Sequence, residues 1–210
     1  MSTDISGNKA KKGEYKFKTR SSMPVTVVIG GENIEDAWLA KHLYFRNYGW
    51  YPWIYIGNTY GISRGIIKFN LSSIPENSKI IQAKLIVKIN GPSPYGAPSN
   101  SSLSVHKVLN SWDEYEVTWD KRNKAENWNT SGGDFGPKIA EISNFSGHPT
   151  LVMNENITDV VKEWYEYPEK NYGFILEWDN APEGKYFVIA QKEYYTEDAP
   201  KLEVTYIPPS

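Results

Sequence analysis

Apolar and polar residues alternate along two runs in the middle of the chain, within residues 47–90. In the first run Ile67, Phe69 and Leu71 share one face, and residues 72–75 (SSIP) interrupt the pattern. Because strand side chains point alternately to opposite faces, each run predicts a β-strand, and together they predict an antiparallel sheet with one solvated face. The apolar face of the second run comprises Ile81, Ala83, Leu85, Val87 and Ile89.

Similar short apolar segments recur along the rest of the chain, separated by segments rich in Gly, Pro, Asn and Asp. They predict further strands within residues 25–29, 34–44, 103–109, 172–178, 186–191 and 202–206. For residues 34–44 a short helical turn is the alternative. Many short strands with frequent turns are typical of an all-β protein. We therefore predict a jelly-roll-like antiparallel β-sandwich.

One segment, near residues 157–166, follows the helical period instead. Ile157, Val160, Val161 and Trp164 have the i, i+3, i+4, i+7 spacing of a helix with one buried face. Asn156 is placed to cap this helix, and residue 168 is a proline that ends it.

The N-terminal residues 1–22 contain several Lys and Arg residues and few apolar ones, which predicts a flexible basic arm. Residues 23–210 then form a single sandwich domain. Residues 91–102 (GPSPYGAPSNSS) predict a loop of unusual length.

The composition of the chain argues against several classes of function. A formal net charge of -2 gives no electrostatic case for nucleic acid, and no apolar run is long enough to span a membrane. The absence of cysteine excludes disulfides, thiolate metal sites and a cysteine nucleophile. The chain has 8 Trp and 15 Tyr, an excess that suits broad β faces or sugar-stacking surfaces.

The sequence offers few candidate catalytic or metal-binding residues. The three histidines are scattered, and no nucleophile elbow or nucleotide-binding motif is present, so we do not expect an enzyme. No cofactor is required, but Asp113, Asp120 and Asp134 flank a Trp-rich loop and are candidate ligands for a structural calcium ion. The alternative is that they cap turns and pair with neighbouring cations such as Lys121.

Two surfaces are candidates for ligand binding. The first is aromatic, because rings of this kind stack on the C–H faces of sugars; the alternative is that they pack in the core. The second is cationic and would suit the carboxylates of a uronate polymer if the two central strands are neighbours; the alternative is a solvated face. The aromatic candidates are Trp50, Tyr51, Trp53 and Tyr60, and the cationic candidates are Arg64, Lys68, Lys84 and Lys88.

Several short motifs follow one another in a fixed order along the chain. They are Asn47-Tyr48-Gly49, Ile56-Gly57, residues 64–75, Trp112-Asp113-Glu114 through Thr118-Trp119, Gly132-Gly133-Asp134, residues 157–164, Asn171-Tyr172-Gly173-Phe174, and Pro200-Lys201-Leu202 with Tyr206. This ordered set, which covers about residues 33 to 207, resembles a known family, the DNRLRE or disaggregatase-related domains.

The resemblance implies a non-catalytic β-sandwich module of an extracellular or cell-surface protein, similar to carbohydrate-binding modules associated with alginate. The expected partner is a polysaccharide, first of all one containing uronate. Because the chain shows no attached lyase or dockerin segment, a structural or self-assembling envelope protein, bound to copies of itself, is the main alternative. A polysaccharide lyase is a weaker one.

Overall fold

In the computed structural model, residues 23–92, 101–143 and 150–209 are described, and they form eleven strands and one α-helix. The strands are β1 (Val25–Ile29), β2 (Ile34–Ala40), β3 (Trp53–Asn58), β4 (Ile62–Phe69), β5 (Lys79–Pro92), β6 (Ser102–Val108), β7 (Phe135–Ser143), β8 (Thr150–Asn156), β9 (Phe174–Glu177), β10 (Lys185–Ala190) and β11 (Lys201–Ile207). The predicted all-β class is confirmed. The basic arm and residues 93–100 of the predicted loop lie outside the described residues.

All strand pairs are antiparallel, and the strands form one continuous hydrogen-bonded network. Its order is β1-β11-β5-β10-β3-β4-β9-β6-β7, with β8 added to β5 and β2 added to β4. β3 and β4 pair only at the end of their hairpin, through Gly57–Ser63 and Asn58–Ile62. The network therefore turns there, and the strands on either side of the turn can face each other.

The main hydrophobic core lies between these two groups of strands, as a sandwich requires. It unites Ile67 and Phe69 of β4 with Leu85 and Val87 of β5, all at most 1% exposed. Burying each such side chain stabilises the fold by about 1.5–3 kcal/mol. The alternating face predicted from the sequence is thus the inward face of both strands.

The structure corrects the pattern at one position and the pairing of the two central strands. A register shift between Thr205 and Tyr206 of β11 leaves Ile81 without a partner in a bulge of β5, so Ile80 is buried and Ile81 is exposed. β4 pairs with β2, β3 and β9, whereas β5 pairs with β8, β10 and β11. The two central strands are therefore not hydrogen-bonded neighbours.

A second, smaller core lies on the outer face of β2, β4 and β9. Residues 109–134, here called the Trp-rich segment, cover that face with the indoles of Trp112, Trp119 and Trp128. The segment packs on Ile66 and Ile175, which are fully buried although they point away from the main core. The Trp-rich segment therefore packs both Trp112 and Trp119 into this second core.

The helix α1 (Thr158–Glu166) contacts β5 and buries Ile157, Val161 and Trp164 in the main core. The N-cap position is Ile157, which makes no side-chain capping bond, so the prediction of Asn156 as the cap is wrong. Asn156 lies one residue earlier, and its side-chain oxygen accepts a hydrogen bond from the Thr158 N–H at 3.2 Å. A short 3-10 turn, Pro168–Lys170, follows the helix.

Candidate functional site

A cleft lined by aromatic rings opens beside β2, β3 and β10. We call it the aromatic cleft; it has a volume of about 610 Å³ and is lined by Trp38, His42, Tyr55, Thr59, Tyr60, Glu183, Gly184 and Tyr186. The Tyr55 ring stands edge-on to both the Trp38 and the Tyr186 ring, at centroid distances of 5.0 and 5.4 Å. Tyr60 is 84% exposed and contacts the His42 ring, which leaves the phenol available to a ligand.

The aromatic cleft carries little charge. Burial lowers the pKa of His42, which favours a neutral imidazole, and Glu183 is the one carboxylate among its lining residues. Burial, and then the neighbouring phenols of Tyr51 and Tyr186, raise the pKa of Tyr55, so this hydroxyl stays protonated. Two buried ring nitrogens, Trp38 Nε1 and His42 Nδ1, have no hydrogen-bond partner among the described residues. These features suit an uncharged ligand with hydroxyl groups.

A second constellation lies next to the aromatic cleft, two residues before Trp38 on β2. Carboxylate oxygens of Asp36, Glu114 and Glu193 lie within 4.8 Å of one another, and we call these residues the acidic cluster. They come from β2, from the Trp-rich segment and from the chain after β10. Glu114 Oε1 accepts a hydrogen bond of 2.7 Å from the Asp36 backbone N–H, which ties the Trp-rich segment to β2.

One ammonium group partly balances the acidic cluster. Lys192 Nζ donates hydrogen bonds to the Glu114 carboxylate at 2.7 Å and to the Ile34 carbonyl at 2.6 Å. Burial alone would lower the pKa of Lys192, but the hydrogen bond and charge of Glu114 outweigh it, so that pKa is raised. Asp36 is completely buried, and its Oδ1 atom has no hydrogen-bond partner in the part of the chain that the structure describes. Burial, followed by repulsion from Glu193 and Glu114, raises the pKa of Asp36 to about 8.

The turn at residues 47–53 is held directly on the acidic cluster. Asn47 Nδ2 donates to the Glu114 and Val117 carbonyls at 2.7 and 2.8 Å. Gly49 packs so closely that a Cβ atom there would overlap the Glu114 carbonyl, which explains the glycine. From the other side, Gln191 bonds the Tyr48 carbonyl. This turn supplies the Tyr48 and Tyr51 rings that pack on Trp38.

The structure distributes the four predicted aromatic residues over different environments. Tyr60 lines the aromatic cleft, and Tyr51 contacts the cleft residue Trp38. Trp50 is 55% exposed beside Tyr51, whereas Trp53 stacks on Tyr195 at 4.4 Å. The predicted aromatic surface is therefore divided, and only part of it lies at the aromatic cleft.

The four predicted cations do not form one surface, because β4 and β5 are not neighbours. Arg64 lies partly buried against the Trp119 and Phe135 rings, and it donates hydrogen bonds to Glu177 at 2.6 Å and to the Gly132 carbonyl at 2.9 Å. The three lysines are paired on the surface: Lys68 with Glu35, Lys84 with Glu203, and Lys88 with Asp198. The structure corrects the predicted continuous stripe for a uronate chain.

The three predicted calcium ligands are also not gathered at one point. Among the described residues, Asp36, Glu114 and Glu193 form the one carboxylate group compact enough for a single ion. Both Asp134 carboxylate oxygens instead accept N–H groups of Asn110, Asn129 and Thr130. Asp113 Oδ1 accepts the Tyr115 N–H, and the Asp120 carbonyl accepts the Trp128 N–H. These contacts fit the alternative that the aspartates brace turns.

Most residues of the aromatic cleft and of the acidic cluster were not predicted from the sequence. Trp38, Tyr55 and Tyr186 look like ordinary strand aromatics, and Asp36 looks like a polar residue on a strand face. Glu114 and the Asn47-Tyr48-Gly49 triplet did occur among the ordered motifs. Their membership of the same set of ordered motifs was the one available signal that they meet. Their separation in the sequence gives no indication of contact.

An all-β sandwich with a ligand-sized cleft on its surface defines the class of this protein. The chain matches the family model of the disaggregatase related repeat domain over residues 39–204, and it belongs to that family. The search of curated proteins found no match. No helix among the described residues is long and apolar enough to cross a membrane.

Proposed function

We propose that this protein is a non-catalytic carbohydrate-binding module that acts outside the cell and holds a sugar chain in the aromatic cleft. The observation that carries the proposal is the group of four rings, Trp38, Tyr55, Tyr60 and Tyr186, around one open space of about 610 Å³. Clefts of this size hold small ligands, and aromatic rings pack against the C–H faces of pyranoses.

The charge of the aromatic cleft refines the expected ligand. Its described lining residues include no Lys or Arg, and its carboxylate, Glu183, would repel a uronate. The cations expected to meet uronate carboxylates are each engaged with an acidic partner. A neutral glycan is therefore the first ligand class to test, ahead of alginate or pectate.

Affinity electrophoresis tests the proposal with neutral glucans, galactans and N-acetylated glycans beside alginate and pectate. We expect retardation by at least one neutral polymer, and weaker retardation for Tyr60→Ala and Tyr186→Ala. Losing one ring contact costs about 0.5–1.5 kcal/mol, which is up to about tenfold in affinity. Tyr194→Ala is the matched control, because Tyr194 is 58% exposed but does not line the cleft. Retardation by none of the polymers would remove the proposal.

A second candidate function, self-assembly into a cell-envelope or coat structure, is favoured by one observation. Within the described residues β1 pairs on one side only, with β11, and it exposes Val25 and Val28 at 42% and 54%. An apolar edge strand can pair with a second copy. This function predicts ordered oligomers by electron microscopy and their loss in Val28→Lys.

A further inference from the structure

The acidic cluster brings one carboxylate from each of three segments to a single point. Asp36 lies on β2, Glu114 in the Trp-rich segment, and Glu193 in the chain after β10. Each offers one carboxylate oxygen, and the three oxygens lie within 4.8 Å of one another. Oxygens that bind the same calcium ion lie about 2.3–2.6 Å from it, and therefore at most about 5 Å apart. The spacing of the three carboxylates thus fits a single ion.

The ammonium group of Lys192 leaves part of the acidic cluster uncompensated. Lys192 Nζ lies 2.7 Å from both carboxylate oxygens of Glu114 and 2.6 Å from the Ile34 carbonyl, but 3.8 Å from Glu193 Oε1. It is therefore committed to Glu114, and one positive charge faces three carboxyl groups. A divalent cation would supply the missing charge, since buried carboxylates need a charged partner.

Asp36 shows the clearest need for a further partner. Its side chain is completely buried. The Oδ2 atom receives a 3.3 Å hydrogen bond from the Lys192 backbone N–H, whereas the Oδ1 atom receives no hydrogen bond from any described residue. Nearly all buried polar atoms in proteins have a partner. An orphaned carboxylate oxygen within a group of carboxylates therefore points to a cation.

Glu193 gives an ion access to the acidic cluster, because its side chain is 20% exposed. Its Oε1 atom is held loosely, with the Tyr115 hydroxyl at 3.5 Å and Lys192 Nζ at 3.8 Å. An ion can therefore enter from the Glu193 side, where water molecules can complete its coordination.

We propose that Asp36, Glu114 and Glu193 bind a calcium ion that joins β2, the Trp-rich segment and the chain after β10. Calcium prefers oxygen ligands such as carboxylates and water. The group contains no histidine and the chain has no cysteine, so the softer metals that these ligands select are disfavoured. The site is distinct from the three aspartates predicted from the sequence, and it does not depend on the proposed glycan binding.

The ion holds together residues that are far apart in the sequence, and the unfolded chain has no such site. Calcium therefore stabilises the folded state by mass action. At a calcium concentration about 100 times the Kd, we expect the melting temperature to rise by roughly 5–11 °C.

Calorimetric titration of the full chain with calcium chloride, after removal of metal ions by EDTA, tests the site directly. We expect saturation at one ion per chain. Magnesium should bind more weakly by roughly tenfold or more, because it gives up its water molecules reluctantly. Thermal melting is then compared in calcium chloride and in sodium chloride at equal ionic strength. An equal rise of the melting temperature in sodium chloride would overturn the site, because salt would then merely screen the acidic cluster.

Two variants locate the ion. Glu193→Gln removes the most exposed ligand and should weaken calcium binding by roughly tenfold or more. Asp36→Asn should abolish binding, and Glu193→Gln carries the test if Asp36→Asn does not fold. Glu35→Gln is the matched control, because Glu35 is a surface carboxylate of β2 that is paired with Lys68 and lies outside the acidic cluster. No calcium binding by the wild type, or an unchanged affinity in Glu193→Gln, would overturn the proposal.

Discussion

Replacing Arg64 by methionine separates a structural from a ligand-binding role for this cation. The Arg64 side chain is 15% exposed, and its guanidinium forms an ion pair with Glu177, whose side chain is 11% exposed. Methionine keeps the length and the contact with the Trp119 and Phe135 rings but removes the charge and the donors. Of the described residues, Glu177 then retains only His106 Nε2, at 3.6 Å, as an ionisable partner, and the Gly132 carbonyl loses the Arg64 donor.

Breaking a buried ion pair on one side costs about 3–5 kcal/mol, because the other charge remains buried. For a domain of this size, about 2–4 °C of melting temperature corresponds to each kcal/mol. We therefore expect the melting temperature of Arg64→Met to fall by roughly 6–20 °C. Urea unfolding, followed by tryptophan fluorescence, measures the free energy directly, and Arg64→Met/Glu177→Gln should recover part of the loss.

Lys84→Met is the control, since its pair with Glu203 spans 3.4 Å and both side chains are about one third exposed. Exposed pairs contribute about 0–1 kcal/mol. If Arg64→Met lost no more stability than Lys84→Met, the structural role of Arg64 would be refuted. A loss of glycan affinity at unchanged stability would instead restore the ligand-binding interpretation.

Three further predictions concern Asp134, Gly49 and Asp36. Asp134→Ala removes the acceptor of four N–H groups and should lower the free energy of unfolding by about 2–4 kcal/mol in urea titrations. Asp113→Ala is the control, because it removes the acceptor of one N–H group and should lower that free energy by about 1 kcal/mol or less. Gly49→Ala should destabilise strongly or prevent folding, because its methyl group would overlap the Glu114 carbonyl, while Gly136→Ala, where an added Cβ would lie 3.7 Å from Leu109 Cδ2, should cost much less by thermal melting. The pKa of Asp36 is about 8 in the folded chain and 3.8 in the reference state, so the folded state binds the extra proton between these values. Wild-type stability should therefore fall by up to about 1.4 kcal/mol per pH unit from about pH 4 to pH 8 through this group. Asp36→Asn should remove that slope in denaturant titrations at several pH values, and a slope equal to that of the wild type would contradict the assignment.

Much of the fold could be predicted from the sequence because burial imposes a period on it. Ile67 and Phe69, and later Leu85 and Val87, alternate with polar residues, and the helix spacing of Val161 and Trp164 is equally regular. The strands β3, β7 and β8 were not predicted. In β7, Phe135–Ser143, the apolar residues are interrupted by Pro, Lys and Glu.

Strand pairing and the candidate site could not be predicted in the same way. Alternation tells which face of a strand is buried, but not which strand lies beside it, and the predicted cationic surface depended on that choice. Arg64 and Ile66 point away from the main core and would be solvated on an open sheet. They are buried because the Trp-rich segment folds back over β4, a long-range contact without a local signal.

The central claim is that the aromatic cleft binds a neutral glycan. The most direct measurement is a ¹H–¹⁵N NMR titration of the full chain with a neutral oligosaccharide that retards it in electrophoresis. If the aromatic cleft binds the oligosaccharide, we expect saturable chemical-shift changes centred on the Trp38 indole N–H and on the amides of Tyr55, Tyr60 and Tyr186. Shifts centred elsewhere, such as around Tyr44 and Tyr115, or an equally strong response in Tyr60→Ala, would contradict it.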